Sequence, residues 1–364
     1  MAKRRSIPRV AVIGAGNGGL ALAGAAALAG CDVALYDIRP AAVEPVEARG
    51  GIGVGGLVEG FGRIRLATID LGDAIEGAEL VIVVVPGRDQ AAAIEALSGR
   101  IETEQLLLLK PGCTGGALEA AAILRTAGKT QPLIAETDSF LFGCAIAGPA
   151  ETHITTIKSS FGVAALPARR TEEAVDRINR VFPQAVAADN VLATSFSNMN
   201  AVLHVPAMVA NAGRVEDGAS DFDFYGTGIS PSVAHLTEVY DRERLAAADV
   251  LGVRPRSLPE WILSNYGVSA SSLYETLQIL HRDVYGPSAA PRSLKHRYLT
   301  EDVPYGAVPT AAIGHAFGIE MPVHRSCITL ASVLCGEDFE VTGRSLHRLG
   351  LAGLTTDEIR AFVE

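Results

Sequence analysis

No apolar run in this sequence reaches the roughly 18 residues that would signal a membrane span; LVIVVVP at 80–86 and LLLL at 106–109 have only strand length. No CxxC pair occurs among the five cysteines, Cys31, Cys113, Cys144, Cys327 and Cys335. Their odd number and scatter argue against a disulfide framework or a zinc site, so buried thiols in a reducing cytoplasm, and no metal, are expected. Positive charge is in deficit. With a net charge of -10, the general field repels nucleic acid and anionic membranes, and an anionic substrate would need its own local arginines. Charged residues are sparse at 20% against 48% hydrophobic, which excludes a disordered chain, and 364 residues leave room for two domains.

What is present begins with VAVIGAGNGGLALAG, residues 10–24. MAKRRS before it and LAGC after it, Leu28 to Cys31, imitate an export signal with a lipoprotein cleavage site. Asn17 and the four glycines around it interrupt the supposed apolar region, and a strand-like segment with a terminal acid follows directly. The export reading therefore fails, and the basic start is expected to be a frayed terminus.

From Arg9 to about residue 190, short branched-apolar runs alternate with alanine-rich segments: RVAVIG, DVALYD, ELVIVVVP, QLLLLKPG and QPLIAET, each followed by a helical pattern. Continuously hydrophobic strands separated by helices predict a doubly wound parallel sheet covered on both faces, a Rossmann-type α/β domain over residues 1–190. Two pieces interrupt the alternation. GGIGVGGLVEGFGRIRLATID, with seven glycines before Arg63, suits a turn-rich excursion or hairpin, and HITTIKSSFGVAALP reads as two antiparallel strands, TTIK and GVAAL, extending the sheet. Beyond Asn190 strand signals nearly vanish. Helical patterns at about 193–212, 230–251, 258–266 and 271–281 predict an all-α domain over 191–364, ending in LTTDEIRAFVE with Thr355 or Thr356 as cap.

The glycine stretch has chemistry of its own. Gly14, Gly16 and Gly19 stand in G-x-G-x-x-G order after a strand and at the start of a helix. There the first glycine permits the tight turn, the second lets the backbone approach a pyrophosphate, and the third packs helix on strand. The helix N-terminus supplies free N–H groups and partial positive charge. Asp37 closes DVALYD about twenty residues on, where an acid accepts ribose hydroxyls. A dinucleotide held by Gly14, Gly16, Asn17, Gly18, Gly19 and Asp37 is expected. Arg39 could meet a 2′-phosphate or stand as a solvated loop residue, while Asp37 would repel that phosphate, so NAD is favoured with NADP possible. Pro86 in VVVPG and Pro111 and Gly112 in KPGCTGG end later strands, where open parallel sheets form their ligand crevice; ordinary strand-ending turns are an equal reading.

In TSFSNMNAVLHVPAMVANAG the positions Ser197, Asn200 and His204 are spaced to share one helix face, and Pro206 is expected to disrupt the helix just beyond. Helix geometry alone favours a hydrogen-bonded structural histidine.

Nearly the whole chain resembles the opine dehydrogenases, the octopine/nopaline dehydrogenase family. The resemblance is carried in order by GAGNGG, KPGCTGGALE, SNMNAVLHVP, GISPSV (228–233), EWILSNYG (260–267), and RYLTEDV (297–303) with GAVP after it. It implies a dinucleotide-binding domain followed by a helical domain, a homodimer, and reductive condensation of an amino acid with a 2-oxo acid by NADH or NADPH. It also implies His204 as catalytic acid/base with Asp302 as its carboxylate partner, since a histidine titrating near neutrality can supply the proton transfers. Asn198 and Asn200 match the N-x-N before the histidine and would orient nicotinamide or substrate; helix stacking favours Asn200. Arg297 would grip a substrate carboxylate or else pair with a domain acid, and Tyr225 would line the pocket or pack. Ala145 stands where the resemblance leads one to expect an arginine after the cysteine of ETDSFLFGC, so Arg292 is the compensating anchor or the acceptor is not an ordinary 2-oxo acid. Two other readings stay open: a C–O dehydrogenase of the ketopantoate reductase or 3-hydroxyacid type, against which the histidine in place of lysine argues, and a non-catalytic dinucleotide sensor.

Overall fold

The structure is a computed structural model that describes residues 7–128, 131–217 and 222–364; the basic start of the chain lies outside the described residues. Two compact units form, one running through Thr194 and including Val363–Glu364, the other Ser195–Phe362.

Among the described residues the first unit carries twelve strands: β1 (Arg9–Ile13), β2 (Asp32–Tyr36), β3 (Gly51–Gly56), β4 (Gly60–Arg63), β5 (Leu66–Thr68), β6 (Leu80–Val83), β7 (Leu106–Leu109), β8 (Leu133–Thr137), β9 (Phe142–Gly148), β10 (Glu151–Ile157), β11 (Phe161–Leu166) and β12 (Ala185–Ala187). Eight form a sheet in the order β12-β11-β8-β7-β6-β1-β2-β5. Pairing is parallel from β5 across to β8, with Val12 opposite both Leu35 and Ile82. The strand order reverses beside β1, which places the glycine turn that follows it at a topological switch point. Each residue of β6, β7 and β8 is buried, as a sheet covered on both faces requires, and every large aliphatic side chain so placed contributes about 1.5–3 kcal/mol.

The glycine-rich excursion is the hairpin β3–β4. It founds a second sheet, ordered β4-β3-β10-β9. Here the expectation of a TTIK–GVAAL hairpin is corrected. The TTI of TTIK ends β10, a strand paired to β3 and β9, whereas GVAAL lies in β11, antiparallel to β8 and parallel to β12. The reason is edge satisfaction: β8 is buried throughout and needs a partner on its open side, which β11 supplies. β9 and β12 carry weak strand signals, and β9, built mainly of small residues, has no buried position.

In the second unit the helices Met199–Ala210, Pro231–Asp249, Leu258–Tyr266, Leu273–Leu280, Val308–Ala316 and Pro322–Cys335 dominate, and the only bridge among the described residues is Asp223 with Ala289. Val202, Leu203 and Val205 share one core with Val233, Tyr240, Leu277 and Ile328. The segment expected as one helix over 193–212 is two, Val191–Phe196 and Met199–Ala210. The break falls at Ser197–Asn198, side chains that bond locally and favour helix ends, so Ser197 sits outside the helix that carries His204. Pro206 does not end that helix, which continues to Ala210. At the chain end, Thr355 and Glu358 form a reciprocal cap for the helix Thr356–Val363. No disulfide joins any of the five cysteines, but only Cys31, Cys327 and Cys335 are buried; Cys113 and Cys144 are half-buried, which corrects that expectation. Among the described residues no helix is long and apolar enough to cross a membrane.

Candidate active site

In the first unit the turn between β1 and the helix Asn17–Leu28 is shaped by three different demands. Gly14 adopts φ +112°, where a Cβ would lie 2.5 Å from the Val84 carbonyl oxygen. A Cβ on Gly19 would collide with the Gly14 carbonyl oxygen. At Gly16 a Cβ would meet nothing within 4 Å, the backbone is extended, and no side chain caps the helix it opens. The structure itself therefore needs Gly14 and Gly19, while the space at Gly16 lies beside uncapped helical N–H groups, the arrangement a pyrophosphate requires.

Asp37, just past β2, is buried and accepts four hydrogen bonds: from the Ala15 N–H inside the turn (2.8 Å), from the Arg39 N–H (2.9 Å), and from Arg39 Nε (2.9 Å) and Nη2 (3.1 Å). Burial alone would raise its pKa, but the bonds from Arg39 and Ala15 outweigh that and hold the carboxyl below its usual range. Arg39 is thus clamped onto Asp37, with its side chain 66% exposed. The side chain of Asn17 is engaged elsewhere, its Oδ1 accepting the Ile146 N–H of β9 (3.0 Å). A Cβ on Gly18 would press on Phe140.

Pro86 precedes the helix Gly87–Leu97 after β6. Past β7, the Pro111 carbonyl accepts from Gln90 Nε2 (2.9 Å), and the Gly112 N–H donates to the Thr137 carbonyl (3.1 Å). Between β7 and Pro111 stands Lys110, 1% exposed, whose Nζ has no hydrogen-bond partner among the described residues and lies 3.3 Å from the centre of the Phe161 ring. Burial pushes this amine well below the ordinary lysine range. Ala145 lies exposed in β9, opposite His153.

In the second unit His204 and Asp302 meet although 98 residues apart. His204 Nδ1 is 2.6 Å from Asp302 Oδ2, and the two residues are 6% and 3% exposed. Asp302 sits where the short helix Arg297–Thr300 passes into the wide turn Val303–Ala307. The other ring nitrogen, Nε2, is 2.8 Å from the hydroxyl of Tyr225. Tyr298 stacks on the imidazole face with ring centres 3.6 Å apart. A carboxylate on Nδ1 favours the tautomer with the proton on that nitrogen, which leaves Nε2 as an acceptor for the Tyr225 hydroxyl.

Asp223 sets the Tyr225 turn. Its carboxylate accepts from the N–H groups of Gly226 and Ser288, both at 3.0 Å. Neither Asp223 nor the Tyr298 stack was anticipated; the available signal for the second was its place inside RYLTEDV, next to Arg297. Asn198 is buried and Asn200 exposed, although only Asn200 is one turn from His204. Arg297 is exposed and paired through Nε with Glu301 Oε2 (3.1 Å), and Arg292 is exposed. Burial, with the neighbouring Arg297 charge, lowers the pKa of His296. Among the described residues no cluster of three or more His, Cys, Asp or Glu could hold a metal.

Comparison with known proteins covers both units. Residues 187–335 match the family model for the NAD/NADP octopine/nopaline dehydrogenase α-helical domain, and residues 9–117 match that for the NAD-binding domain of 6-phosphogluconate dehydrogenase. The opine dehydrogenase of Arthrobacter sp. (strain 1C) is 39% identical over 355 residues, covering 97% of this chain and 98% of that protein. Octopine dehydrogenase solved with NADH and L-arginine superposes with a TM-score of 0.81 at 21% identity, covering 97% of each chain. Its structure with NADH and pyruvate gives 0.79 at 20%, covering 97% and 98%. The first unit is accordingly an NAD(P)-binding domain, and the protein is an NAD(P)-dependent oxidoreductase.

Proposed function

The chain belongs to the opine dehydrogenase family, and from that premise we propose that it condenses the amine of an amino acid with a 2-oxo acid and reduces the new carbon–nitrogen bond, running also in reverse. The observation that carries this reading is the buried pair of His204 with Asp302, a histidine whose tautomer is fixed by a carboxylate. The octopine dehydrogenase structures with L-arginine and with pyruvate support the two substrate classes for this chain.

When bound, the reduced nicotinamide supplies a hydride. The residues of this chain do the rest. Gly16 leaves space for the pyrophosphate beside the uncapped helix, and Asp37 presents a carboxylate to the ribose hydroxyls, which favours NAD over a 2′-phosphorylated cofactor. His204 receives the proton that leaves the amino acid's ammonium group, freeing the amine to attack the oxo acid, and Asp302 balances the imidazolium that results. The same imidazolium returns the proton as the carbinolamine loses water. Arg297 holds a substrate carboxylate by exchanging its Glu301 partner for the substrate, with Arg292 as a second anchor for the chain that lacks an arginine at 145. Asn198 and Asn200 orient the reactants. The domain that binds dinucleotide is placed at residues 1–190 and the catalytic helical domain at 191–364, acting as a cytoplasmic homodimer.

The test is to follow absorbance of NADH and NADPH with a panel of 2-oxo acids, amino acids present or omitted. Oxidation only when an amine is supplied supports the proposal. Amine-independent oxidation would make the protein a C–O dehydrogenase, and binding without turnover would make it a sensor.

A further inference from the structure

Both nitrogens of the His204 ring are taken, Nδ1 by Asp302 at 2.6 Å and Nε2 by the Tyr225 hydroxyl at 2.8 Å, and one ring face is covered by Tyr298. A proton leaving this imidazole therefore meets Tyr225 first. We propose that the Tyr225 hydroxyl, not the imidazole itself, is the terminal group that exchanges protons with the substrate, so that Asp302, His204 and Tyr225 form one relay. The proposal rests on the reading of His204 as acid/base.

Three observations favour a fixed relay over a side chain that swings aside. First, Tyr225 is held: its ring packs edge-on to Phe224 (centres 5.1 Å, 81°) and against Tyr285 (5.4 Å), and its turn is pinned by Asp223. Second, His204 is buried whereas Tyr225 is half-buried, so the tyrosine is the more accessible residue of the pair. Third, burial, with Tyr298, Tyr285 and Asp302 nearby, drives its acidity far down, so it does not ionise on its own and passes a proton only as it receives one.

The proton flow balances without any further reagent. As the substrate ammonium gives a proton to Tyr225 Oη, the phenolic proton moves to His204 Nε2, and Asp302 faces the imidazolium formed. The free amine attacks the oxo-acid carbon, forming a C–N bond while the carbonyl oxygen takes the amine's proton. The imidazolium then returns its proton to Tyr225, whose own proton goes to the carbinolamine hydroxyl. The C–O bond breaks, water departs, and the nitrogen lone pair forms the C=N bond of an iminium.

The experiment compares wild type, Tyr225→Phe, replacement of Tyr225 by ring-fluorinated tyrosines, and His204→Asn. Phenylalanine keeps the ring packing, so it isolates the hydroxyl. Turnover is expected to fall roughly 10- to 100-fold in Tyr225→Phe with dinucleotide affinity unchanged. It should track phenol acidity across the fluorinated series, and the bowed solvent proton inventory of wild type should become linear in the phenylalanine variant. In the apoprotein, the 15N shift of His204 Nε2 should move in Tyr225→Phe. Wild-type turnover in Tyr225→Phe with His204→Asn inactive overturns the relay and leaves the acid/base reading standing. Wild-type turnover in both variants overturns both. A loss in Tyr225→Phe that ignores phenol acidity makes the hydroxyl a structural bond and overturns the relay.

Discussion

Two alanine substitutions three residues apart in the glycine loop, at Gly16 and Gly19, should have different consequences. At Gly16 the backbone is extended (φ −79°, ψ −167°) and an added methyl meets nothing within 4 Å. The folded protein therefore tolerates it. Alanine is a poorer N-cap than glycine by about 0.5 kcal/mol or more, while the stiffer unfolded chain returns about 0.4–1 kcal/mol, so stability should barely change. The methyl does, however, stand where a phosphate must approach the helix N–H groups. Losing one charge-assisted bond there, worth about 1.5–3 kcal/mol, weakens dinucleotide binding roughly 10- to 150-fold. At Gly19 the new Cβ collides with the Gly14 carbonyl, and the helix must move off β1. Overpacking of that kind costs about 1–3 kcal/mol, or roughly 2–12 °C in melting temperature. Calorimetric titration with NADH and thermal melts of both variants separate the two effects. Wild-type NADH affinity in Gly16→Ala would refute the cradle, and a wild-type melting curve for Gly19→Ala would refute the packing argument.

Asp302→Asn should lower turnover by roughly two to four orders of magnitude while leaving NADH affinity unchanged, because the amide cannot balance an imidazolium on Nδ1; steady-state kinetics with parallel binding titrations read both. Asp37→Asn keeps an oxygen for the Ala15 N–H but frees Arg39 from its ion pair and removes a charge that repels a 2′-phosphate. At contact distance that repulsion is about 1 kcal/mol or more, so the NADPH-to-NADH affinity ratio should rise roughly fivefold or more, and an unchanged ratio would remove Asp37 from cofactor selection. Lys110→Met should stabilise the fold by about 1–3 kcal/mol near neutrality, since it removes a buried amine without a hydrogen-bond partner. The folded amine's pKa lies well below 10.5, so between the two values the unfolded chain binds a proton that the folded chain does not, and wild-type stability rises with pH. The gain from Lys110→Met should shrink as pH approaches 10.5 in chemical denaturation, and a gain independent of pH would contradict a neutral buried lysine.

The parallel sheet was readable because each buried strand is an uninterrupted branched-apolar run, and the glycine turn because its spacing is imposed by backbone sterics at Gly14 and Gly19. The second sheet was not. TTIK and GVAAL both have strand character, but which edge each joins is decided by partners far away in sequence, β3 for one and β8 for the other. The helix break at Ser197–Asn198 was hidden by apolar periodicity on both sides, which continues through two local bonders. His204 could be named as a residue on an apolar helix, but its partner Asp302, 98 residues on, came only through the family resemblance. Tyr225 and Asp223 illustrate the remaining limit: a tyrosine hydroxyl meets the His204 ring nitrogen 21 residues away, on a turn that Asp223 pins, and no periodicity reports that meeting.

The most direct measurement is where the hydride goes. With reduced nicotinamide carrying deuterium at the transferable C4 position, and an amino acid and a 2-oxo acid supplied together, mass spectrometry of the product should find one deuterium on the carbon bonded to the bridging nitrogen. Deuterium recovered only in a 2-hydroxy acid, with no compound joining the two substrates, would contradict the account.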